Sequence, residues 1–187
     1  MPKLRVSFAL GAITLSLTLH GCSSPRQPEL AMDDPDTLAQ SLIAATRDFC
    51  VPYVVDGASV ASLTERPGVS EEHYDVNGKD VPRYFLDQQP GQPLVTFSDQ
   101  EYCAIWLYVA PSVDRTAIDA AFRRDLHVVG RSTSEARDLP VDTQLQGLDS
   151  NKVVSCVHGD TDALITFSQS QPQYPIYVIV RSDDRRC

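Results

Sequence analysis

The sequence is short of several things that would point to a reaction. It has 16 Lys plus Arg against 25 Asp plus Glu, a formal charge of −9 and a pI near 4.7. That balance argues against a nucleic-acid partner, because phosphate binders gather Lys and Arg on one face. No apolar run approaches the ~20 residues of a bilayer-crossing helix. With only nine glycines, neither Gly-x-Gly-x-x-Gly nor Gly-x-x-x-x-Gly-Lys occurs, so the usual phosphate cradles are missing. Gly-x-Ser-x-Gly, Ser-x-x-Lys and His-Glu-x-x-His are missing as well. No Cys-x-x-Cys occurs, which removes thioredoxin-like redox and zinc-ribbon readings. From these absences no catalytic residue, metal or cofactor is nominated. What is present is a 187-residue chain that is 42% hydrophobic and 22% charged, the composition of one globular domain.

The N-terminus reads as an address. Met1 to Arg5 is short and basic, and Val6 to Leu19 is uncharged and mainly apolar. Leu19-His20-Gly21-Cys22 follows, then the polar stretch Ser23-Ser24-Pro25-Arg26-Gln27-Pro28. A basic start, an apolar core and a small residue before the cut describe a secretory signal. Leu19 to Cys22 resembles the lipobox of bacterial lipoproteins, although His20 stands where that pattern has a small residue. The resemblance implies cleavage after Gly21, a diacylglycerol on the Cys22 thiol and a membrane partner through that lipid. Ser23 after the Cys is similar to lipoproteins forwarded to an outer membrane. The alternative is an ordinary cleaved signal with Cys22 left as an incidental or disulfide-forming residue. Cleavage would remove Lys3 and Arg5 but no acid, taking the charge from −9 to −11. Anionic head groups would repel such a chain. Residence at the membrane then rests on acyl chains, at about 0.8 kcal/mol per buried CH₂.

Four further cysteines remain: Cys50, Cys103, Cys156 and Cys187. In an exported chain an even number reads as disulfides, and four allow three pairings. Cys50–Cys103 with Cys156–Cys187 is the pairing favoured here, the second tying down the last residue.

Along the chain, residues 1–21 read as signal, 22–33 as lipidated Cys and flexible tether, and 34–187 as a single α+β domain. Asp34 caps a helix expected to run to Val51, with Pro35 at its first turn and Leu38, Leu42, Ala45 and Phe49 on one stripe. Pro52 is expected to end it. A short helix is expected over Ala58 to Leu63. Residues 64–92 read mostly as loop, with one strand at Arg83 to Leu86. Leu94 to Phe97 and Cys103 to Val109 read as strands, the second apolar throughout and so central. Arg115 to Leu126 reads as a helix that buries Ile118, Ala121, Phe122 and Leu126 and exposes Asp119, Arg123, Arg124 and Asp125. His127 to Gly130 is expected to be a short strand, and Lys152 to His158, Ala163 to Gln169 and Ile176 to Arg181 a meander. The sum is an antiparallel sheet of about five strands with two main helices packed on it.

Chemistry-bearing clusters are few. Glu71-Glu72-His73-Tyr74-Asp75 gathers acids around an imidazole, but neighbours on one short segment rarely converge on one ion, and a solvated acidic loop is the plainer reading. His158-Gly159-Asp160-Thr161-Asp162 has the residues a tight turn needs. His127 suits a helix C-terminus, and Trp106 suits the core, against a disulfide. Asp33, Asp34, Asp36, Asp183 and Asp184 serve solubility.

Phe49-Cys50 and Cys103-Ala104-Ile105-Trp106 loosely resemble segments of small uncharacterised envelope proteins and lipoproteins of Gram-negative bacteria, a resemblance that implies no activity. The expectation is therefore a lipid-anchored, disulfide-stabilised module facing the periplasm, non-catalytic, with an envelope protein or cell-wall component as partner. A small envelope hydrolase working by carboxylate acid–base chemistry is the alternative, and an immunity-type inhibitor a third reading. Replacing the anchoring thiol tests the address: a Cys22→Ala chain is expected to leave the membrane fraction, and its retention after a high-salt wash would sink the lipid reading.

Overall fold

A computed structural model describes residues 30–99, 101–129, 133–134, 152–168 and 175–182. Residues 1–29, with Cys22, and the last residues, with Cys187, lie outside these. So do the stretch read as signal, most of that read as tether, and the C-terminal aspartates Asp183 and Asp184.

Helix α1 (Pro35–Ala45) starts where expected. The Asp34 carboxylate accepts from the Thr37 backbone N–H at 3.0 Å, and Pro35 occupies the first turn. The helix does not stop at Pro52. A π-helical segment (Thr46–Cys50) follows, and α2 (Val51–Val55) continues it. Within this wider turn the Val51 N–H reaches back to the Thr46 carbonyl, five residues away. Pro52 cannot donate to the Asp48 carbonyl four residues before it, and in a regular helix its ring would collide there. The Arg66 guanidinium donates to that carbonyl instead, at 2.8 Å, while lying 4.1 Å from the centre of the Phe49 ring. A proline that should end the helix is thus accommodated by widening one turn and recruiting an outside donor.

Among the described residues eight strands form one antiparallel sheet, more than the roughly five expected: β1 (Val69–Val76), β2 (Lys79–Leu86), β3 (Leu94–Ser98), β4 (Tyr102–Leu107), β5 (Thr133–Ser134), β6 (Lys152–Val157), β7 (Ala163–Ser168) and β8 (Ile176–Ser182). Their spatial order is β1-β2-β3-β4-β8-β7-β6-β5. The late meander is β6–β7–β8 as expected, and apolar β4 lies at the centre between β3 and β8. Two segments differ from the expectation. Residues 69–86, read mostly as loop, form a hairpin around Asn77-Gly78, both at positive φ (55° and 79°), the geometry of a two-residue turn. The short strand expected at His127 to Gly130 is instead a 3₁₀ turn, Leu126–Val129, and a two-residue strand follows at β5.

The sheet has two unlike faces. Val95, Cys103, Ile105, Leu107, Ile165, Phe167, Val178 and Val180 point toward the helices and share a core with Leu38, Leu42, Phe49, Ile118 and Phe122. Helix α3 (Val60–Thr64) adds Leu63. Helix α4 (Arg115–Asp125), capped by Asp114, packs antiparallel to α1, with Gln40 donating to Asp125 at 2.6 Å and Arg124 pairing with Asp36 at 3.0 Å. Asp119 does not face water as expected. It is buried and accepts from the Arg123 Nε at 2.6 Å. The opposite face buries Phe85, Leu94, Ala104, Leu164, Ser168, Tyr177 and Ile179.

Cys50 and Cys103 are bonded, with their Cα atoms 5.3 Å apart, joining the π segment to β4 across 53 residues. Closing that loop stabilises the fold by about 4 kcal/mol in the chain-entropy account. Cys156 is also in a disulfide; its partner lies outside the described residues.

The sheet has a near end and a far end. At the near end Ala31 pairs with Val109, its N–H donating to the Tyr108 carbonyl at 2.7 Å, so part of the stretch read as tether is bonded into the fold. Strand directions put the Asn77-Gly78 turn and the turn at residues 158–162 at the far end. There Gly159 lies against α2. A Cβ at this position would collide with Val55 Cγ1, and the Thr161 N–H donates to the Val55 carbonyl at 3.2 Å. A Gly159→Ala change is expected to cost about 2 kcal/mol in urea unfolding. Adding Val55→Ala should recover part of that loss, and a strictly additive double variant would disprove the contact as the cause.

Candidate functional site

The hairpin β1–β2 stands at one edge of the described sheet, and much of it is exposed. It joins the sheet at only two positions, Tyr84 opposite Val95 and Phe85 opposite Leu94. From Arg83 to the turn it leaves β3, which suits Pro82: with no N–H it makes a poor interior residue but a tolerable edge one. Alternation then gives the ribbon two faces.

One face carries Glu71, His73, Asp75 and Asp80, the second and fourth of these lying across the ribbon from Pro82 and Asp75. His73 sits between two carboxylates, with Nδ1 2.8 Å from Asp80 and Nε2 3.0 Å from Glu71. Asp75 is occupied by the turn, accepting from the Gly78 N–H at 3.1 Å. The other face carries Glu72, Tyr74, Val76 and Arg83. The Arg83 guanidinium stacks 4.9 Å from the Tyr74 ring and 5.3 Å from the Phe85 ring, and pairs with Glu72 at 3.2 Å. Tyr74 and Val76 remain 47% and 42% exposed, which makes them two of the four large apolar side chains in solvent among the described residues. The other two, Leu30 and Met32, lie at the near end. With Ala31, Asp33, Gly91 and Gln92 they line an open cleft of about 380 Å³. Its lining has one carboxylate, Asp33, and no imidazole, hydroxyl or thiol.

The remaining candidates are dispersed. His158 Nδ1 lies 3.0 Å from Asp162 across the far-end turn. His127 is exposed, with Nδ1 3.2 Å from the Arg124 carbonyl at the end of α4. Trp106 is on the opposite face from the Cys50–Cys103 bridge. It stacks on Tyr177 at 5.2 Å and donates to the Thr96 hydroxyl at 3.2 Å, so it does not pack against that bridge. Among the described residues no three His, Cys, Asp or Glu side chains are arranged to hold a metal, and no helix is long and apolar enough to cross a membrane.

The hairpin's signal was in the sequence: Asn-Gly flanked by two stretches of equal length. Its charged composition concealed it, because exposed strands lack the apolar alternation of buried ones. Compared with known protein families, curated proteins and solved structures, the chain matches none.

Two carboxyls with altered proton affinity are structural. Hydrogen bonds from Thr37 hold Asp34 below the ordinary carboxylate range, and the Arg124 guanidinium does the same for Asp125. A lowered folded-state pKa adds stability that is complete above the unfolded value and disappears as pH falls through the folded one. Thermal midpoints are therefore expected to fall below about pH 4, less steeply in Asp34→Asn than in the parent. Identical acid limbs would show that the cap contributes nothing.

Proposed function

We propose that this chain is a lipid-anchored, disulfide-stabilised module of a bacterial envelope, held at the membrane through Cys22 and facing the periplasm, and that it binds an envelope protein or cell-wall component without catalysis. The observation that carries the binding part is the β1–β2 hairpin, a ribbon that leaves the sheet and exposes Tyr74 and Val76 beside paired charges. Partially exposed aromatic side chains stacked by arginine are the kind of group that anchors protein interfaces. The near-end cleft, by contrast, offers among its described lining residues one carboxylate and no second group to exchange protons with it.

Supporting the address is the state of the cysteines. Cys50 and Cys103 are bonded, and Cys156 is too, which suits an oxidising compartment. With Cys187 as the partner of Cys156, the one thiol left over is Cys22, where the lipobox pattern places the acyl group. Ser23 favours the outer membrane as destination. From Cys22 to Ala31 the chain reaches at most roughly 30 Å. An anchor there would hold the near end against the membrane and present the hairpin turn on the side away from it.

A photo-crosslinking side chain placed at Tyr74 in the native host tests this reading. Discrete adducts at Tyr74, with none at exposed Ala120 on α4, are the expected outcome. Equal labelling at both positions, or none at Tyr74, would remove the hairpin as the docking surface.

A further inference from the structure

Resting on that reading, we propose that the open edge of β1 accepts an extended cationic segment of a partner protein as an additional antiparallel strand. In the described sheet β1 is the terminal strand, paired only with β2. The two-residue turn makes Val76 and Lys79 the first hydrogen-bonded pair. Alternation then directs the backbone N–H and C=O groups of Tyr74 and Glu72 toward β2, and those of Glu71, His73 and Asp75 outward. Three consecutive outward positions form a row of donors and acceptors that only another strand can pair throughout.

The charges select which strand. A side chain on an added strand meets its cross-strand neighbour at about 5 Å, where opposite charges attract and like charges repel. Glu71 and Asp75 border the edge on one face, with Asp80 behind them, and Glu72 borders it on the other. Two copies of this edge would set carboxylates against carboxylates, in a chain already at −9. The same groups that discourage self-pairing favour lysine or arginine at alternate positions of a partner strand. On the second face exposed Tyr74 offers an apolar neighbour to the residue between them.

The test uses the full processed protein held in lipid nanodiscs. The probe is a short peptide with lysines alternating with valine and threonine, blocked at both ends. Binding is read by fluorescence anisotropy and by amide hydrogen exchange. The expected result is binding that slows exchange at Glu71, His73 and Asp75. An analogue of the same charge, N-methylated at alternate amides so that it cannot pair as a strand, should not bind. His73→Ala, which loses the imidazole that contacts Asp80 in β2 but keeps the backbone N–H, should still bind, whereas His73→Pro, which also removes one outward N–H but no backbone bond to β2, should abolish binding. If that variant unfolds, Glu71→Lys with Asp75→Lys replaces it and should reverse the preference toward a glutamate version of the peptide. Equal binding of the N-methylated analogue, full binding by His73→Pro, an unreversed charge preference, or no binding of the lysine peptide would each overturn strand addition. Adducts at Tyr74 alongside failed pairing overturn strand addition alone, whereas failure of both removes the hairpin as a docking surface too.

Discussion

The bond between Cys50 and Cys103 is the constraint on which the rest of the arrangement depends. It joins the longest helical stretch to the central strand of the sheet, β4, at the one place where that helix is irregular. Both sulfurs are fully buried among Phe49, Val51, Ile105 and their neighbours in the main core. The bridge is thus a core contact as well as a covalent one. Its formation requires an oxidising environment, so it couples the fold to the redox state of its surroundings. Without the bond, the π segment would depend on apolar packing and the Arg66 contact to stay against β4.

Pro52 explains why the irregularity is there and what it accomplishes. A regular helix continuing through residue 52 would face a missing donor and a clash, a penalty of about 3 kcal/mol. Widening the turn between Thr46 and Cys50 removes the clash, and Arg66 serves the Asp48 carbonyl. The helix consequently continues from Pro35 to Val55, roughly 30 Å at 1.5 Å per residue, and spans the sheet from end to end. Its last residue meets the far-end turn through Gly159, and its first lies beside Ala31 at the near end. One continuous helix therefore sets the distance between the attachment point of the N-terminal segment and the far-end loops.

Much of this was legible in the residues. The cap at Asp34, the buried stripes of α1 and α4, the central place of β4 and the β6–β7–β8 meander follow from local propensity and apolar periodicity, because those elements are buried. The misreadings occur where burial is not what decides. Pro52 has the usual signal for a helix end, and only a contact from Arg66, 14 residues on, offsets it. The β1–β2 hairpin is charged on both faces, so it lacks the alternation that marks a half-buried strand, and the Asn77-Gly78 turn was its one local mark. Asp119 sits on the polar side of α4 by spacing, yet Arg123 covers it. Of the candidate site, Glu71, His73 and Asp75 were visible as a cluster. Asp80, which completes it, becomes adjacent only once the register of the hairpin is known.

That register also changes what the cluster means. On a solvated loop, three acids and an imidazole would simply be hydrated. On a terminal strand, the same side chains border three outward-facing backbone positions and control what approaches them. Edge strands are commonly protected by charge, and protection and selection are the same electrostatics seen by different partners. A second copy of this acidic chain is repelled; a cationic strand is attracted, most strongly at low ionic strength where the Debye length exceeds the width of the ribbon. Glu72 is partly neutralised by Arg83, and Glu71 and Asp80 share His73. Among the described residues Asp75 has no such basic side chain beside it, and it accepts from the turn's Gly78 N–H. The least compensated charge on the edge is therefore the one nearest the tip, where a segment approaching from the far end would first meet it.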